Sequence, residues 1–173
     1  MLNVVLYEPE IPANTGNIMR TCMAFNMKLH LIEPLGFSFE DKYLKRAHMD
    51  YINEVDYTIY PDYESFLKEN SKGQFVFFTR YALKSFDECI FDSNEENIYL
   101  VFGKESTGID KHILKDHLDE CYRLPMVKDA RSLNLSNCVA IGAYEALRQT
   151  GFDGLSKEEL AENSRSRSAK LRI

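Results

Sequence analysis

Residues 97–110 read NIYLVFGKESTGID, and the change of character at Gly103 decides the fold class. Ile98 to Phe102 are continuously apolar, β-branched or aromatic, which reads as a strand buried on both faces. The chain then enters a loop of small polar residues with a second glycine at Gly108. A strand that ends in such a loop and runs on into a helical stretch is the repeating unit of an α/β sheet. Ligands of these sheets bind beyond the carboxyl ends of the strands. Gly103 lets a ligand approach the backbone, although an ordinary strand-to-helix turn would use the same residue.

The same alternation extends outward in both directions. LNVVLY (2–7), KLHLIE (28–33), QFVFFT (74–79) and the shorter ECYRLP (120–125) read as further strands, with YTIY (57–60) a weaker candidate. Helical stretches are expected at about 15–26, 40–47, 62–70, 110–117 and 134–150. Asp62 is placed to cap the third, with Gly73 beyond its end, and Gly151 follows the last helix as a terminating glycine should. The expected fold is α/β, a mostly parallel sheet flanked by helices. One domain covers 1–152, and 153–173 form a short helical or frayed basic tail.

The chain has 173 residues, one domain by size and enough to bury a core without disulfide staples. Its hydrophobic share of 45% and charged share of 28% are ordinary for a globular protein. No apolar run approaches the ~18 residues of a membrane span. The opening MLNVVLYEPE lacks a basic segment and meets acid at once, so no signal peptide is expected. Cys22, Cys89, Cys121 and Cys138 form no CxxC pair, and His30, His48, His112 and His117 show no zinc-ligand spacing. We therefore expect reduced thiols, no metal and a cytoplasmic location. The net charge of −6 argues against bulk polyanion binding. It is uneven, because every charged side chain from Asn163 onward is basic.

In nucleotide-binding α/β proteins the first strand feeds a glycine-rich phosphate loop. Here it feeds YEPEIPANTGNIMR (7–20), with neither GxGxxG nor GxxxxGK[ST], which disfavours a common Rossmann enzyme or a P-loop NTPase. Pro9 and Pro12 stiffen the loop, and Asn14 or Thr15 is expected to cap the helix, whose free N–H groups favour an anion. Helical spacing puts Asn14, Asn17 and Arg20 on one face. A cap plus a surface ion pair would account for this segment taken alone. The third cluster is YRLPMVKDARSLNLSNCVAIGAYEALRQ (122–149). Its Ser132, Asn134, Ser136 and Asn137 exceed what one cap requires. Val139, Ala143 and Leu147, with Ala140 and Ile141, make an apolar face broad enough to meet the sheet on one side and a second subunit on the other.

Taken together, NTGNIMR (14–20), LVFGKESTGI (100–109) and LPMVKDARSLNLSNCVAIGAYEALRQ (124–149) resemble, in order and spacing, the three signature motifs of the SPOUT methyltransferases. The resemblance runs to about residue 152. LYEPEIPANTGNI (6–18) and DKYLKRAHMDY (41–51) are similar to one branch. That branch 2′-O-methylates the wobble nucleotide, cytidine or carboxymethylaminomethyluridine, of certain leucine tRNAs. The resemblance implies a SPOUT-type fold with a C-terminal deep trefoil knot, an exception to general topology rules. It also implies S-adenosyl-L-methionine bound mostly by backbone groups of three loops, with S-adenosyl-L-homocysteine as product. Those loops here are Phe78 and Thr79, Gly103 and its successors, and Leu124 through Leu133 with Ser132. Family members are homodimers whose site draws on both subunits.

By the same resemblance the partner is a tRNA anticodon stem-loop, met by Asn14, Asn17, Asn134 and the basic residues Lys42, Lys45 and Arg46. In most proteins that i, i+3, i+4 basic face would simply be solvated. Arg20 matches the family's essential arginine, which has been proposed as a general base. A guanidinium with a pKa above about 12 is a poor base. The expected role is instead a bidentate grip on the adjacent phosphate and stabilisation of the developing alkoxide. Asn14 and Asn17 would hold Arg20, while Tyr144 and Glu105 would orient it or relay the proton. The competing readings are a ribosomal RNA 2′-O-methyltransferase, a non-catalytic nucleotide- or RNA-binding module, and a flavodoxin-like domain. The ribosomal enzymes usually carry an extra N-terminal RNA-binding domain, and a chain that opens on its first strand favours tRNA.

Overall fold

The computed structural model describes residues 1–39 and 55–158. The helix expected at 40–47, with Lys42, Lys45 and Arg46, and the tail from 159 lie outside the described residues. The strands are β1 (Leu2–Tyr7), β2 (Lys28–Ile32), β3 (Tyr57–Tyr60), β4 (Gln74–Phe78), β5 (Lys84–Ser85), β6 (Ile98–Phe102) and β7 (Cys121–Arg123). They form one sheet in the order β3-β2-β1-β6-β4-β7-β5, and the neighbouring strands all pair in parallel. The helices are α1 (Pro12–Ala24), α2 (Tyr63–Glu69), α3 (Lys111–Asp116) and α4 (Leu135–Gln149).

The parallel arrangement follows from strands apolar on both faces. Successive side chains point to opposite sides, so each strand feeds two cores. Val4, Leu6, Leu29, Leu31, Leu100 and Phe102 meet Ile18, Met19 and Cys22 of α1 and Val139, Ala143 and Ala146 of α4. Val5, Phe75, Phe77, Tyr99 and Val101 meet Phe66 of α2 and Leu114 of α3 on the other face. The second face also buries a polar chain. His30 Nδ1 lies 3.1 Å from the Tyr60 hydroxyl and Nε2 lies 3.2 Å from Asn3 Oδ1. Burial, with a smaller push from Lys28, lowers the His30 pKa to about 4.

Helix ends follow local chemistry in most places. Asp62 Oδ1 accepts from Ser65 N at 2.7 Å to cap α2, as expected. Helix α4 closes with Gly151 at φ +83°, its N–H reaching Arg148 O, while Phe152 N–H donates to Leu147 O at 2.8 Å. Helix α1 departs from expectation. It starts at Pro12, with Ile11 as the cap residue and no capping side chain of its own, so neither Asn14 nor Thr15 caps it. Proline is pre-organised for the first helical position, and the missing acceptor comes from elsewhere in the fold. The sixth expected strand is also trimmed: β7 stops at Arg123, which leaves Leu124 and Pro125 in the loop.

Candidate functional site

The carboxyl ends of β4, β6 and β7 lie side by side in the sheet, and the loops that leave them surround a cleft of about 790 Å³. That size suits a nucleoside-like ligand, given a usual range of ~300–1,000 Å³. All six residues expected to hold the cofactor line it: Phe78, Thr79, Gly103, Leu124, Ser132 and Leu133. The loop after β6 folds tightly on itself. A Cβ on Gly103 would sit 2.2 Å from Gly108 C and Ile109 N, so only glycine fits there. Gly108 N–H donates to Lys104 O at 2.9 Å to close the turn. In the cleft wall, Phe78 and Phe102 stack at 4.4 Å, and Gly142 lets α4 rest against both rings.

The floor toward α1 is a relay of polar side chains. Asn134 Nδ2 donates to Asn14 Oδ1 at 2.8 Å, and Asn14 Nδ2 donates to Glu105 Oε1 at 2.8 Å. Glu105 also accepts from Glu10 N at 2.9 Å and Ile11 N at 3.3 Å. Its carboxylate is therefore the acceptor that α1 lacks at its N-terminus, and the anion the helix favours comes from its own chain. Asn134 meanwhile caps α4, its Oδ1 accepting from Ser136 N at 2.9 Å. One chain of three side chains thus ties the starts of α1 and α4 to the loop after β6.

Two further contacts strengthen this seam, at positions to which the sequence reading assigned no role. Glu8 pairs with Lys104 at 2.5 Å, which raises the lysine pKa through that hydrogen bond. Glu10 accepts from Ser106 N at 2.9 Å and from Ser106 Oγ at 2.8 Å, and these bonds hold its carboxyl below the ordinary range. The signal was present as two carboxylates spaced around Pro9, but their partners lie far along the chain.

The remaining candidates sit elsewhere. Asn14 is buried and committed to the relay, whereas Asn17 and Arg20 are exposed on α1 and do not line the cleft. Asn14 therefore holds loops together rather than sharing an exposed face with Arg20. Tyr144 is 54% exposed on α4, with its ring 5.3 Å from that of Phe152. Helices α1 and α4 pack beside one another on one face of the sheet. The outward side of the pair carries Asn17, Arg20, Ile141 and Tyr144. Cys138 lines the cleft with its thiol pKa pushed up by burial. The other three cysteines are buried and unbridged. Among the described residues no group of His, Cys, Asp and Glu is placed to hold a metal, and no helix is long and apolar enough to cross a membrane.

Comparisons with known proteins point the same way. Residues 1–144 match the model of the SpoU rRNA Methylase family. A tRNA (cytidine(34)-2′-O)-methyltransferase of Escherichia coli K12 is 46% identical over 156 residues, covering 89% of this chain and 97% of the relative. A Geobacillus stearothermophilus protein assigned that same activity is 48% identical, covering 90% of this chain and 99% of its own length. Among solved structures, one described as giving insight into 2-OH methylation of C/U34 on tRNA superposes with TM-score 0.81 at 39% identity, covering 87% and 97% of the two chains.

Proposed function

This chain belongs to the SpoU methylase family, and on that premise we propose the chemistry of its cleft. It is an S-adenosylmethionine-dependent tRNA methyltransferase that modifies the ribose 2′-hydroxyl of the wobble nucleotide, as its relatives' assigned activity is cytidine-34 2′-O-methylation. The carrying observation is that the loops after β4, β6 and β7, distant in sequence, converge on one cleft lined by all six expected cofactor residues. The fit is chemical as well as spatial. The walls combine loop backbone with Phe102, Leu124 and Leu135, and the one carboxylate among the lining side chains, Glu105, is already occupied by three donors. When bound, S-adenosylmethionine supplies an electrophilic methyl group on a sulfonium.

The chain's part is to position the 2′-oxygen in line and to stabilise the charge that develops as its proton leaves. Arg20 takes the second task, as a bidentate donor to phosphate and alkoxide. It lies outside the cleft of its own chain, and we infer a homodimer in which α1 and α4 face a second copy and present Arg20, Asn17 and Tyr144 to the partner's cleft. Ile141, an apolar side chain 46% exposed on the same helix as Tyr144, supports that face as an interface. We also infer the trefoil knot. From β7, on the far side of β4, the chain returns through 124–134 to α4, which packs back on β1 and β6. Modified uridine and leucine tRNAs as substrates, anticodon contacts by Lys42, Arg46 and Asn134, and a cytoplasmic location belong to the same reading.

The experiment is methyl transfer from labelled S-adenosylmethionine to unmodified tRNA, with ribosomal RNA and Arg20→Ala as controls and nucleoside mapping of the product. Label at the wobble 2′-oxygen, lost in Arg20→Ala, is the expected result. Label in ribosomal RNA alone would refute the substrate assignment.

A further inference from the structure

Beside the cleft a smaller recess of about 200 Å³ opens between Arg80, Tyr81, Arg123, Met126 and Arg131. It shares Arg80, Tyr81, Arg123, Met126 and Ser132 with the cleft, so the two are continuous. Its three arginines come from three separate segments. Arg80 lies just beyond β4, Arg123 ends β7, and Arg131 stands in the return to α4. In this acidic chain, Lys84, Lys104 and Arg148 pair with Asp119, Glu8 and Glu145. Among the described residues none of the three recess arginines has a carboxylate within 4.0 Å. Arg80 lies over the ring of Tyr81 at 4.8 Å, and that ring is 64% exposed.

Three arginines that line one recess with no carboxylate within 4.0 Å among the described residues carry like charge, and Arg123 is also half-buried. Such an arrangement is stabilised when an oxyanion fills it, and the planar fork of arginine suits phosphate in particular. We propose that this recess binds a phosphodiester of the substrate RNA adjoining the nucleotide that is methylated, with Tyr81 as a stacking surface for a neighbouring base. The proposal rests on the methyltransferase reading above and adds residues that reading does not use. A few arginine–phosphate contacts also reconcile RNA binding with a net charge of −6. The rival oxyanion is the α-carboxylate of the cofactor, which could reach the recess from the cleft.

The test uses the full-length protein and the single variants Arg80→Gln, Arg123→Gln and Arg131→Gln. Binding of unmodified tRNA is measured across a salt series, KM is measured for tRNA, and S-adenosylhomocysteine affinity is measured by calorimetry. Each substitution is expected to weaken tRNA binding and raise its KM by about tenfold. The slope of log affinity against log salt should fall by about 0.7–0.9. S-adenosylhomocysteine affinity should stay within twofold, which also certifies the fold. Unchanged tRNA affinity in all three variants would overturn the proposal. So would a loss of S-adenosylhomocysteine affinity, with or without loss of tRNA, because the recess would then serve the cofactor or the loops. A wild-type protein that binds S-adenosylhomocysteine yet labels no RNA would instead remove the functional reading beneath the proposal.

Discussion

Glu105→Gln separates a structural carboxylate from a proton-handling one. In the folded chain Glu105 Oε1 accepts from Ile11 N and Asn14 Nδ2, and Oε2 accepts from Glu10 N. Glutamine keeps one acceptor oxygen. If that oxygen faces Ile11 and Asn14, two charge-assisted bonds become neutral ones, and the amide NH₂ points at Glu10 N–H, donor against donor. A lost bond to a partly buried N–H costs about 1–3 kcal/mol, here toward the lower end because solvent is near. The two weakened bonds and the lost charge at the start of α1 add about 1 kcal/mol. The expected destabilisation is about 2–3 kcal/mol. For a chain of this size that lowers Tm by roughly 5–10 °C. Urea unfolding at neutral pH gives the free energy, and methyl transfer at 25 °C gives turnover of the folded fraction. Retained turnover with reduced stability is the expected pattern. Wild-type stability with turnover reduced a hundredfold would refute this account and return Glu105 to proton transfer.

Further outcomes follow from other contacts. Gly103→Ala places a Cβ 2.2 Å from the backbone of Gly108 and Ile109, so S-adenosylhomocysteine affinity should fall at least tenfold by calorimetry. Gly108→Ala meets nothing within 4 Å and bears only the strain of φ +80°, about 1–2 kcal/mol, so near-wild-type affinity is expected. The unfolded chain protonates His30 near 6.5, whereas the folded chain resists until about 4. Its contribution, about 3 kcal/mol, is therefore complete above pH 6.5, falls as pH drops and is exhausted below pH 4. A urea-unfolding series across that window checks this, and His30→Gln should flatten the profile. Arg20→Lys keeps the charge but loses the fork, so kcat should fall at least tenfold with cofactor affinity unchanged. Full turnover in that variant would exclude the bidentate role.

The parallel sheet and six of its seven strands were legible because they rest on local pattern, whereas the two-residue edge strand β5 carries too short a pattern to read. Short two-faced apolar runs announce buried strands, Asp62 announces a helix start, and Gly151 a helix stop. The loops that line the cleft were legible because residues next to strand ends inherit the position of those ends, as Phe78, Gly103 and Leu124 do. Tertiary structure decided what those loops do to one another. Asn14 resembled a helix cap in sequence, yet it is the middle of a relay between Glu105, 91 residues away, and Asn134, 120 residues away. The arginine recess was equally hidden, although Arg80 and Tyr81 directly follow a strand end, where ligands are expected. Periodicity and capping report interactions within a few residues along the chain. Charge neutralisation, a borrowed cap and the gathering of three arginines depend on distances across the sheet, which only the folded order of β1, β6, β4 and β7 supplies.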